Sequence, residues 1–274
     1  GYQTIHVGKA HFGAIETSGA EPLNLGFDYN VAGHAAGAPA SYLGENNFGN
    51  DLPIINNFPR GVPNLSQYHG KQFHLTDALT EEAKKLITKV VKNGKPFFLN
   101  MAHYAVHTPI EAHQRLVKHY QNKTYKNTEI DIPEVEENYA SLIEGMDDSL
   151  GALLQHLNDL DIAENTLIIF TSDNGGLSGH TRETTPRGTE LNSHNWPLNS
   201  GKGSAYEGGT RVPYIVAWAK PSAKTLIQKK WPIGLNTTSE QHIIIEDLFP
   251  SILSVANASS QIPSNYQLDG VDVS

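Results

Sequence analysis

Three short apolar runs limit what this chain can fold into. They read PFFLNMA at 96–102, TLIIFT at 166–171 and RVPYIVAWA at 211–219. A strand that is apolar at nearly every position needs cover on both faces, which is the habit of parallel sheets. Residues Gln3 to Val7 read as one more strand, running into a glycine. Between the strands lie segments with helical spacing. LTDALTEEAKKLITKVVKN sets Leu79, Ala83, Leu86, Ile87 and Val90 on one stripe, with a Thr/Asp start and Gly94 as the stop. Residues 134–158 carry Tyr139, Leu142, Ile143, Met146, Leu150, Leu153 and Leu154 on a second stripe. SEQHIIIEDLFPSILSVAN reads as a further helix, kinked or divided by Pro250. Strands alternating with helices predict an α/β fold, a mostly parallel sheet covered by helices on both faces. Residues 19–70, rich in Gly, Asn, Pro and Ala, show little periodicity and read as a long irregular region of the kind that often carries function.

Ligands of such sheets sit beyond the carboxyl ends of the strands. Four places put polar residues there. They are Lys9 and His11 in VGKAHFG, His103 and His107 in MAHYAVHTP, Asp173 and Asn174 in TSDNGG, and Lys202 in SGKGSAYEGGTRVP. Asp and Asn oxygens suit calcium or magnesium better than zinc. Lysines and histidines together suit a tetrahedral oxyanion, sulfate or phosphate. Each string also has a plainer reading: Asp-Asn-Gly is a common turn, and a histidine before Thr-Pro is an ordinary loop residue. A shared topological position favours a site. The net charge of −9 over 274 residues argues against a nucleic-acid surface, so cations for an anionic ligand must be gathered locally. The chain has no cysteine, which removes disulfides, thiolate metal sites and a cysteine nucleophile from within it. It has no apolar run of about 20 residues and therefore no expected membrane span. Its opening, GYQTIHVGKAHFG, has neither the basic start nor the apolar stretch of a signal peptide.

Taken in order, these strings resemble the sulfatase family of the alkaline-phosphatase-like superfamily. Gly8-Lys9-Ala10-His11-Phe12-Gly13 is similar to the family's Gly-Lys-x-His-x-Gly string. PFFLNMAHYAVHTP resembles its strand ending in Pro-His-Thr-Pro, with Val106 where proline is common. The stretch from Tyr139 to Gly176, then GKGSAYEGGTRVPYIVAW, IIEDLFPSILSVAN and LDGVDVS, continue the resemblance to the end of the chain. The resemblance implies an alkaline-phosphatase-like core. It implies Asp173 and Asn174 as calcium ligands, and Lys9, His11, His107 and Lys202 around a sulfate group. His107 would protonate the leaving alcohol. Glu207 and Arg211 would support the loop, and Gly208 and Gly209 would permit its tight path.

Two parts of the family pattern have no match. The formylglycine nucleophile is made from a Cys/Ser-x-Pro-x-Arg string, and TTPRG at 184–188 does not fit it. The acidic metal-ligand pair of the family's first strand is also missing. Residues 1–274 are therefore expected to be a catalytic-domain fragment without the N-terminal nucleophile segment and the C-terminal subdomain. Formylglycine and the remaining Ca2+ ligands are expected upstream. NLGFDYNVAGHAAGAPASYLG looks like bacterial polysaccharide-directed members, which implies a sulfated carbohydrate as partner, of galactose type, and a periplasmic or secreted protein. The loop at 178–196 offers His180, Arg187, His194 and Asn195 for substrate, with Arg182 and Trp196 beside them. Arginines suit sulfates and tryptophan suits sugar stacking, though a solvated loop is the plainer reading. Two alternatives stay open: a phosphomonoesterase or phosphonate hydrolase on the same fold, and an inactive sulfoglycan-binding protein.

Overall fold

The computed structural model describes residues 1–53, 60–123, 136–177, 195 and 197–274. They form two compact units: residues 1–160 with 171–213, and residues 161–170 with 214–274.

The first unit is built on strand β1 (Gln3–Gly8), which lies between β2 (Tyr29–Val31) and β3 (Phe97–Ala102). Both pairings are parallel, with Ile5 opposite Tyr29 on one side and Leu99 on the other. The α/β reading with a parallel sheet holds. Ile5, His6 and Val7 are all fully buried, so both faces of the central strand are covered. The apolar β3 is only half-buried, because it is an edge of this sheet. β2 was not expected: it is three residues long, is centred on Asn30 and has no apolar run.

Helix α1 (Leu75–Lys92) packs on β1 and β3. It buries Leu75, Ala78, Leu79, Ala83, Ile87 and Val90, and Gly94 follows it at φ +68° as the expected stop. Full burial of each large apolar side chain is worth about 1.5–3 kcal/mol. The helix starts one residue before the expected Thr/Asp signal, because His74 caps it: His74 Nδ1 accepts from the Thr76 N–H at 3.3 Å.

Helix α2 (Glu137–Asp159) packs on α1 and buries Tyr139, Leu142 and Leu153 of the expected stripe, but not all of it. Ile143 is exposed, whereas Ser141, Gly145 and Ser149 are buried with Leu142, Leu153 and Leu157. Close approach explains the difference. Ser149 Oγ lies 2.6 Å from Thr80 Oγ1, and a Cβ on Gly145 would meet the His113 ring at 2.8 Å.

The His74 cap makes stability depend on pH. An acceptor Nδ1 carries no proton, so the cap exists only for neutral His74. Burial, with His113 nearby, pushes its pKa from 6.5 down to about 3. The unfolded chain therefore binds the extra proton between those values. Stability is expected to fall as pH drops from 6.5 towards 3 and then to level off, by at most about 1.4 kcal/mol per pH unit for this group. Urea melts at pH 7 and pH 5 check this. His74→Asn keeps a good cap that cannot titrate and should flatten the slope.

In the second unit, β4 (Leu167–Thr171) pairs with β5 (Tyr214–Trp218) in a two-stranded sheet. β4 is half-buried, with Phe170 exposed, rather than the fully covered strand its sequence suggests, since each strand of such a pair keeps an open edge. The expected helix over 239–257 is confined to a 3₁₀ turn at Ile245–Asp247 and the helix Leu248–Val255. Ile243 and Ile244 lie outside both, as their β-branched side chains disfavour helix. Pro250 falls in the first turn, where its missing N–H costs nothing and no kink is needed. Asp247 anchors the unit's tail, accepting from Ile244 N–H and from Val271 N–H at 2.8 Å. No helix among the described residues is long and apolar enough to cross a membrane.

Candidate active site

Gly8 ends β1 at φ +109° and packs so tightly on β3 that a Cβ there would lie 1.8 Å from Ala102 O. The next residue, Lys9, donates its N–H to Ala102 O at 2.7 Å, so the turn out of β1 is fixed to the end of β3. From there Lys9 Nζ reaches Asp173 Oδ2 at 3.5 Å. Two strings far apart in the chain thus meet through their side chains. Lys9 is 18% exposed and Asp173 is 68% exposed. An ion pair with one partner so open adds about 0–1 kcal/mol to stability.

The segment after β4 is held by backbone contacts that only glycines allow. Gly175 N–H donates to Gly209 O at 3.0 Å, and a Cβ on Gly175 would sit 1.8 Å from Gly208 O. Gly208 and Gly209 are themselves buried against the carbonyls of Ser200 and Ser204, which agrees with the tight path expected of them. Lys202 N–H donates to Gly176 O at 2.8 Å, which draws the Lys202 loop onto the Asp173-Asn174 segment. Asn195 completes this arrangement. Its Nδ2 donates to Gly176 O at 3.1 Å and to Ser200 O at 3.0 Å, so its amide braces the loop. His180, Arg187 and His194, with Arg182 and Trp196, lie outside the described residues.

His11 and His107 stand on their own loops. His11 is exposed at φ +56°, with its N–H on His34 O at 3.0 Å and its ring against Gly37, where a Cβ would come within 2.7 Å. His107 Nδ1 lies 3.0 Å from Thr108 O. A carbonyl only accepts, so Nδ1 carries the proton in that contact, while the Thr108 hydroxyl, 3.3 Å from the same Nδ1, can serve either tautomer. His103 is pushed down to about 4 by burial, and burial likewise lowers His34. The buried His103 Nδ1 and His34 Nε2 have no hydrogen-bond partner among the described residues. Neutral imidazoles fit both places.

Asp173 and Asn174 offer hard oxygens. Asn174 Nδ2 donates to Gly175 O at 3.0 Å, which assigns the amide nitrogen and leaves Oδ1 as the acceptor. Such donors fit calcium. Among the described residues no group of three or more His, Cys, Asp or Glu is placed to hold a metal ion.

The sequence reading missed Tyr42 and Glu111. Tyr42 Oη donates to His107 O at 2.8 Å, and Glu111 Oε2 accepts from Ser41 Oγ and Tyr42 N–H. No local signal marks either residue.

The fold is a parallel α/β core in which a lysine meets a carboxylate, with an amide beside it in sequence, just beyond strand ends. The Sulfatase family model matches residues 1–258. A sulfatase of Formosa agariphila is 30% identical over 310 aligned positions, covering 100% of this chain and 51% of its own length. The N-acetylgalactosamine-6-sulfatase of Mus musculus is 30% identical, with 100% and 46% covered. The crystal structure of Ps i-CgsB is 29% identical with a TM-score of 0.72, covering 99% of this chain and 54% of that one. Its complex with k-i-k-neocarrahexaose gives 28%, 0.70 and the same coverage. This chain belongs to the Sulfatase family. It spans about half the length of the curated relatives it matches.

Proposed function

We propose that the full-length protein containing this chain is a sulfuric ester hydrolase acting on a sulfated glycan. The observation that carries this reading is the contact between Lys9 and Asp173, which joins the anion-binding and the hard-oxygen strings in one place. Lys9, Lys202 and His11 would bind the sulfate oxygens and balance the charge that grows on the bridging ester oxygen. His107 would pass the proton on Nε2 to that oxygen as the alcohol leaves, its ring oriented by the Nδ1–H bond to Thr108 O. Asp173 and Asn174 would hold calcium, which supplies positive charge beside the sulfate. The nucleophile, formylglycine by family resemblance, is assigned to the protein outside these residues, as are the remaining metal ligands. The relatives named for N-acetylgalactosamine-6-sulfate and crystallised with a neocarrahexaose support a galactose-type sugar. Such polymers are met outside the cytoplasm, so we place the protein in the periplasm or outside the cell.

The test is inorganic sulfate released by the full-length protein from sulfated galactan oligosaccharides and from N-acetylgalactosamine-6-sulfate. Sulfate release that stops on calcium chelation and returns with added calcium is expected. Phosphate release from phosphomonoesters without sulfate release would instead make it a phosphomonoesterase. Glycan binding without turnover of either ester would make it a binding protein.

A further inference from the structure

We propose that Tyr42 is a positioning residue for His107, held in place by the neutral ring of His74. The inference rests on the reading of His107 as the proton donor to the leaving alcohol.

Tyr42 grips the loop after β3 at two points. Its Oη donates to His107 O at 2.8 Å, and its N–H donates to Glu111 Oε2 at 2.5 Å. One residue therefore spans the segment from His107 to Glu111 and ties it down at both ends. His107 in turn orients its own ring through Nδ1 and Thr108 O at 3.0 Å. Moving the His107 carbonyl moves the residue whose ring must meet the substrate oxygen, and small displacements of a proton donor cost rate.

Tyr42 is itself fixed from behind. Its side chain is fully buried. Its carbonyl accepts the Leu75 N–H at 2.8 Å, and Leu43 forms a β-bridge with His74. Its ring stacks on His74 with centroids 5.3 Å apart and planes 12° apart. His74 stacks on His113 at 4.4 Å, and His113 Nε2 lies 3.1 Å from Asp77 Oδ2. The row Tyr42, His74, His113 ends on a carboxylate of α1's first turn, so the start of α1 is the rigid base for the Tyr42 hydroxyl.

The test is Tyr42→Phe in the full-length protein, which removes only Oη and keeps the stacked ring. A sugar sulfate leaves as a poor alkoxide and needs the proton; 4-nitrophenyl sulfate leaves as a stable phenolate and hardly needs it. The expected result is a kcat lower by about tenfold on the sugar sulfate, with KM and the 4-nitrophenyl sulfate rate each changed by less than about twofold. The ring 15N and 1H signals of His107, assigned by their loss in His107→Gln, should move in Tyr42→Phe. Equal losses on both substrates, or an unchanged His107 ring signal, overturn the inference. If the unsubstituted protein releases sulfate from neither ester, the proposed activity fails. The His107 ring signal then still decides whether Tyr42 positions it.

Discussion

Asp173→Ala is expected to lower sulfate release by the full-length protein by about a hundredfold to a thousandfold, the range seen when one preorganised charge partner is removed from a reacting site. Asp173 is two-thirds exposed, and among the described residues its charged contact is Lys9 at 3.5 Å. Its loss should leave the folded chain almost unchanged, with a melting temperature within about 2 °C of the parent. A large loss of turnover with an unchanged melt separates a ligand from a structural acid. Calcium titration followed by heat gives a readout that does not depend on turnover: the variant should bind more weakly than the parent. Asp173→Asn keeps one oxygen and should fall between the two. Parent-like turnover and calcium binding in Asp173→Ala would remove this residue from the site and with it the contact on which the proposed function stands.

Gly8→Ala is expected to have the largest effect on folding. The residue sits at φ +109°, where an L side chain is strained, and its Cβ would lie 1.8 Å from Ala102 O. Neither problem can be relieved by a rotamer change, because the obstacle is backbone of the paired strand. Strain and clash together should cost about 3 kcal/mol or more. For a chain of this size that lowers the melting temperature by roughly 6–12 °C. The damage falls where β1 hands over to Lys9, whose N–H shares the same Ala102 O. Turnover should therefore drop even at temperatures where the variant is folded. Thermal melts by circular dichroism, paired with sulfate release at low temperature, check both parts. A melt equal to the parent's would mean that the end of β1 can shift away from β3 at little cost.

Much of the site is legible in the sequence because it follows apolar runs. Lys9 comes straight after Val7-Gly8, and Asp173 and Asn174 follow LIIFT after a single serine, so topology alone predicts where they stand. Gly175, Gly208 and Gly209 are legible as glycines, and the structure supplies their reason in the carbonyls they approach. Tyr42 is different. It lies in the Gly-, Asn-, Pro- and Ala-rich region without periodicity, and its partners are 65 and 69 residues further on. No window of sequence contains both ends of such a contact. Asn195 differs again: its partners are 19 and 5 residues away, and the sequence marks it as a ligand candidate rather than a brace. A side-chain amide serves equally well to hold a sugar or a carbonyl, and composition does not choose between them.

The apolar pattern of the sequence is enough for the strands β1, β3, β4 and β5, the helices α1 and α2 and the α/β class, though not for β2 or the limits of the last helix. These follow from hydrophobic period, and period is a local property. Which faces pack and which side chains meet is set by contacts between distant parts of the chain. Helix α2 shows why. Its buried face keeps Tyr139, Leu142 and Leu153 of the apolar stripe and adds Ser141, Gly145 and Ser149, whose small size lets α1 and His113 come close. Close packing depends on the shape of the neighbour, and the neighbour is set by chain far away in sequence.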